Sequence, residues 1–227
     1  MRCVTWVITL ALLAALAGEV SAQSAKRKPA PKPKATPVLK TEPAKLTCPS
    51  QLGTGVKTQR VFCDVLTGRT IEGAVAVEMP ARTGVATLLF DLHNRQTYSE
   101  QQVRAGKAFA DYVTTVAVVG PDGVLLGRAA AQASFRTAAD LFDRVGGGAG
   151  PGGMKAVAPV GAEPVRVEIP PAVPRVFVLG ERLVVETLDG RDTFSAQGRP
   201  VAIVSNVRVE YQPVPAKPAK KSSTRKR

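Results

Sequence analysis

The sequence is poor in the residues that most often carry chemistry. In 227 residues there is one histidine, His93, one tryptophan, Trp6, and three cysteines, Cys3, Cys48 and Cys63. A tetrahedral zinc site needs four ligands, and Cys48, Cys63 and His93, the set left once an expected export signal carrying Cys3 is removed, leave that sphere incomplete, so no metal or cofactor set is expected. A Ser/His/Asp triad would have to use His93, and no G-x-S-x-G turn marks a nucleophile among the serines. Long helices are disfavoured too, because 20 glycines and 18 prolines punctuate the chain.

What is present begins with an export signal. Arg2 precedes an apolar stretch from Val4 to Ala17, and Val20-Ser21-Ala22 places small residues where a signal peptidase reads, so cleavage is expected after Ala22. The apolar stretch is short of the roughly 20 residues that span a bilayer, which disfavours an uncleaved anchor and predicts no membrane span in the mature chain. Cys3 and Trp6 leave with the signal, so a sugar-binding face built on indole rings is excluded. Cys48 and Cys63 then remain as the one possible intramolecular pair in an oxidising compartment, the alternative being two free thiols.

The formal charge of +13 is unevenly distributed. Residues 23–45, QSAKRKPAPKPKATPVLKTEPAK, hold seven Lys/Arg and one Glu, and residues 213–227 hold six Lys/Arg and no acid. Residues 46–212 are almost neutral, with 17 basic and 16 acidic side chains, 14 of the basic ones arginine. Both terminal tracts are rich in Lys and Pro with little to bury, so they are expected to be disordered basic arms around a folded domain at 46–212. Lys26, Arg27, Lys28, Lys32 and Lys34 on one arm, with Lys220, Lys221, Arg225, Lys226 and Arg227 on the other, are the candidate contacts to a polyanion. Outside the cytoplasm that means an anionic envelope component: lipid, lipopolysaccharide or wall polymer. An envelope protein is the other candidate partner. No aromatics are interleaved with the basic residues, so sequence-specific nucleic-acid binding is not expected.

The middle reads as β. Val61, Cys63 and Val65 alternate with Arg60, Phe62 and Asp64, and Ala86, Leu88, Phe90 and Leu92 alternate with Val85, Thr87, Leu89, Asp91 and His93. Ile71, Val75 and Val77, Val165, Val167 and Ile169, and Val201, Ile203, Val207 and Val209 extend the pattern, which predicts antiparallel strands with one wet face. Gly120-Pro121-Asp122-Gly123 and Asp189-Gly190 predict hairpins, and Ala129–Ala133 is assigned to a strand. Short helices are expected after Ser99, ending at Gly106, and over Ala138–Val145 after a Thr137 cap. About nine strands and two short helices predict an all-β, antiparallel β-sandwich, with a partly open β-barrel as the alternative.

Two stretches invite a chemical reading. Gly148, Gly150 and Gly153 match G-x-G-x-x-G, but the stretch follows an expected helix and opens none, and Met154 stands where a phosphate-loop lysine would. A flexible loop is the better reading. In Asp91-Leu92-His93-Asn94-Arg95-Gln96-Thr97-Tyr98, the side chains of Asp91, His93 and Arg95 share one face of a strand. Together with Tyr98 they are the candidate ligand-binding group, and the bland alternative is a solvated strand end. The resulting expectation is an exported, non-catalytic binding or structural module of the cell envelope or periplasm. The alternatives are a hydrolase centred on Asp91, His93 and Arg95, and a module whose sheet edge pairs with a partner strand.

Overall fold

The computed structural model describes residues 38–145 and 156–215. The expected signal peptide, residues 23–37, the glycine-rich stretch 146–155 and residues 216–227 lie outside the described residues.

Alternation and turn chemistry give twelve strands among the described residues: β1 (Lys40–Pro43), β2 (Lys45–Thr47), β3 (Gln51–Thr54), β4 (Val61–Leu66), β5 (Val75–Glu78), β6 (Arg82–Tyr98), β7 (Ala110–Val119), β8 (Leu125–Phe135), β9 (Ala156–Ile169), β10 (Arg175–Thr187), β11 (Gly190–Phe194) and β12 (Pro200–Pro213). They form two antiparallel sheets of six strands. The first runs β3-β4-β12-β6-β9, with β1 also on β12; the second runs β2-β5-β10-β7-β8, with β11 also on β10. The fold is therefore the expected all-β sandwich and not a closed barrel. β12 is long enough to hold β4 along its first part, at Pro200–Val204, and β1 along its second, at Arg208–Tyr211. β10 does the same with β5 and β11.

The main core lies between the sheets and is built from the inward alternation of these strands: Ala86, Leu88, Phe90 and Leu92 of β6, Val165, Val167 and Ile169 of β9, Val116 and Val118 of β7, and Val176 and Val178 of β10. Cys63 belongs to this core and is bonded to Cys48, which lies between β2 and β3. The bridge ties the chain to β4 where it crosses from one sheet to the other. Both hairpins form as their turn residues dictate, with Gly123 at φ 77° and Gly190 at φ 139°, backbone angles that side-chain-bearing residues rarely adopt.

Four expectations are corrected. The first strand among the described residues, β1, begins at Lys40, inside the tract read as unstructured. Pairing with β12 and a 2.7 Å hydrogen bond donated by the Tyr211 hydroxyl to Glu42 supply order that composition does not reveal. Ile71 precedes β5 rather than belonging to it. Ser99 caps a true helix, α1 (Glu100–Arg104), but Ala138–Val145 forms only a 3-10 turn at Ala138–Asp140. Its remaining residues run extended, bridging Leu141 to Val160 and Val145 to Gly55, because backbone partners on β9 and the β3–β4 loop replace intrahelical ones. An eight-residue helix gains little on its own against that competition. Finally, β12 does not keep one apolar face. A register shift between Ser205 and Arg208, with Asn206 at φ 53°, puts Ile203 on the opposite side of the sheet from Val204 and Val209.

Candidate functional site

Asp91, His93 and Arg95 do project from one face of β6, the face turned away from the inter-sheet core. That face is covered. Ser205 of β12 stands opposite Asp91, Ile203 opposite His93, and Asp64 of β4 opposite Ile203. His93 and Ile203 are fully buried, Ser205 is 1% exposed and Asp64 5%. The cover comes from the extended strap that follows the 3-10 turn. The Phe142 ring lies 4.7 Å from the His93 ring, and Phe62 meets His93 edge-on at 5.6 Å. The expected wet face is therefore a second, smaller packed layer.

The strap is pinned by Asp143, itself 4% exposed. Its carboxylate accepts the amides of Lys57 at 3.0 Å, Thr58 at 2.8 Å and Arg144 at 2.7 Å, and the Thr58 hydroxyl at 2.5 Å. Burial alone would raise its pKa, but these donors outweigh that penalty and hold the group at about 2. Gly55 makes room for the contact. A Cβ there would sit 2.7 Å from the Phe62 ring and 2.8 Å from the Thr58 hydroxyl, and would strike the Asp143 carboxylate itself.

Both nitrogens of His93 are occupied. A carbonyl can only accept, so Nδ1–H donates to the Gly161 oxygen, and Nε2 then accepts the Ser205 hydroxyl at 2.9 Å. Burial lowers the His93 pKa, against the opposing Gly161 hydrogen bond and the Asp91 charge, and the nearby Arg60 lowers it further. The ring is therefore neutral at neutral pH. Asp91 makes no hydrogen bond to it. Its carboxylate accepts Arg60 Nη1 at 2.7 Å and Asn206 Nδ2 at 3.1 Å.

Arg95 turns instead to Asp64, donating from Nε at 3.0 Å and from Nη2 at 3.4 Å. Burial raises the Asp64 pKa, against the lowering effect of that guanidinium. Tyr98, at an even position of β6, belongs to the other face, where its ring packs edge-on against Phe135 at 6.1 Å. Three of the four candidate residues thus share one face of β6, each with its own partner, and Tyr98 lies on the other. No known family model, curated protein or solved structure matches the chain.

Sequence reasoning missed Ser205 as the partner of His93 and missed the strap altogether. The apolar pair Leu141-Phe142 was a signal for a covering element, but helical periodicity accounted for it equally well. It also missed a cavity of about 510 Å³ at the end of the sandwich where β6 runs on past the start of β12. Arg95, Thr97, Tyr112, Leu183, Val185, Phe194, Arg199 and Pro200 line it. The Arg199 guanidinium lies over the Phe194 ring, 3.9 Å from its centroid. The ten basic residues assigned to polyanion contact lie outside the described residues.

Proposed function

We propose that the chain is an exported, non-catalytic β-sandwich module of the cell envelope, held on an anionic lipid, lipopolysaccharide or wall polymer by its two basic arms. The observation that carries this reading is the partition of charge, with nearly all the excess of +13 lying outside the neutral folded part. Export is supported by the Cys48–Cys63 bridge, which suits an oxidising compartment. It is also consistent with the fact that no helix among the described residues is long and apolar enough to cross a membrane. The hydrolase alternative has one point in its favour, the Ser205 hydroxyl on His93. Against it stand the burial of both groups and the Gly161 carbonyl, rather than a carboxylate, on the other ring nitrogen.

The arms are tested with the full mature chain and a variant carrying glutamine at the ten basic positions from Lys26 to Lys34 and from Lys220 to Arg227. Retention on heparin and on anionic vesicles, followed across salt concentrations, is expected to collapse in the variant. Its dependence on salt should flatten as released counterions cease to drive binding. Equal retention of the two proteins would dismiss the arms as the binding element.

A further inference from the structure

The end cavity carries a distinct chemistry. Its volume of about 510 Å³ lies within the range of small-ligand sites. Leu183, Val185, Phe194 and Pro200 give it apolar walls. Of its two guanidiniums, Arg95 is already neutralised by Asp64, whereas Arg199 has no carboxylate partner among the described residues. Arg199 is exposed to solvent, and its guanidinium carbon lies over the Phe194 ring, 3.9 Å from the centroid. Stacking uses the π surface and leaves the in-plane N–H donors free, and two parallel N–H groups match the two oxygens of a carboxylate. Tyr112 adds a phenol whose pKa is pushed up to about 12 by burial, so it stays a neutral hydrogen-bond donor. One uncompensated cation beside apolar walls matches one negative charge on an apolar body.

We propose that this cavity binds a small amphipathic monocarboxylate, its carboxylate on Arg199 and its apolar part against Leu183, Val185 and Phe194. The site is built entirely within the folded domain and is independent of the arms.

Titration calorimetry on the full mature chain with octanoate, compared with 1-octanol, tests the pairing of charge and tail. Octanoate is expected to bind one to one and at least about tenfold more tightly than the alcohol, since a charge-assisted bidentate contact is worth that factor or more. Octanoate should also shift the methyl resonances of Leu183 and Val185. Arg199→Gln is expected to weaken octanoate by about tenfold while leaving octanol unchanged, and Arg208→Gln, at an exposed position of β12, should leave both unchanged. Equal affinity for the two ligands would overturn the proposal. So would undiminished octanoate binding in Arg199→Gln, equal weakening in Arg208→Gln, shifts at methyls other than those two, or no saturable binding up to about 10 mM.

Discussion

At the scale of single residues, His93 shows how environment decides role. The same side chain that spacing marks as an acid/base candidate is here sealed, neutral and doubly hydrogen-bonded, which are the properties of a structural residue. His93→Ala would empty a packed site and leave the Gly161 carbonyl and the Ser205 hydroxyl without their partner. A loss of about 3 kcal/mol is expected in urea unfolding at neutral pH. The protonation linkage has a definite sign. Because the folded-state pKa lies below the ordinary value of 6.5, the unfolded chain takes up the proton more readily. The His93 contribution to stability is therefore complete above that value and is lost as pH falls below it. Wild type should show a lower urea midpoint at pH 5.5 than at pH 7.5 from this group, with that part of the slope missing in the variant. A wild-type midpoint in His93→Ala would contradict the structural role.

At the scale of elements, the strap from Thr137 to Val145 is the piece whose conformation is set by its partners. Thr137 and Asp140 form a reciprocal cap, yet the helix stops after one 3-10 turn. From there Phe142 donates its amide to the Pro159 carbonyl at 3.0 Å, and Asp143 gathers the donors of the β3–β4 loop. Gly55→Ala is expected to undock this element, because the new methyl would push against the Phe62 ring, a buried part of the core. An overpacking cost of about 2 kcal/mol should appear in chemical unfolding. Faster hydrogen exchange at the Lys57 and Thr58 amides would locate the damage. The Asp143 carboxylate, with its depressed pKa, stabilises the docked strap above the ordinary carboxylate range and loses that effect as pH falls towards about 2. The same amides should therefore lose protection in acid. Unchanged exchange in Gly55→Ala would show that the strap does not depend on this close approach.

At the scale of the whole molecule, two sheets are joined by a chain that crosses between them repeatedly. The earliest crossings among the described residues use three short strands, β1 to β3, of three or four residues each, which have little area to bury. The Cys48–Cys63 bridge secures the last of these to β4. A loop of 15 residues corresponds to about 3 kcal/mol in the chain-entropy account. Replacing both cysteines by alanine is expected to lower the guanidinium midpoint by a corresponding amount. An unaltered midpoint would mean that β1 to β3 hold their place without the bridge.

The sequence by itself determined the all-β class, both hairpins, the α1 cap and the candidate pair Cys48 and Cys63. Each of these rests on local chemistry: alternation with period two, glycine at positive φ, a serine oxygen facing free amides, and a cysteine count. It also determined that Asp91, His93 and Arg95 share a face, since parity along a strand cannot place them otherwise. Only the tertiary structure decided what that face meets. Burial of His93 requires Phe62, Phe142 and Ile203, which come from three other parts of the chain and converge only when β4, β12 and the strap pack on β6. The bulge at Asn206, which reverses the facing of β12, has no counterpart in the alternation of its apolar residues. The end cavity likewise exists because β12 starts late relative to β6, a matter of register between strands more than a hundred residues apart. Local pattern fixes which way a side chain points, and packing fixes whether water or protein awaits it there.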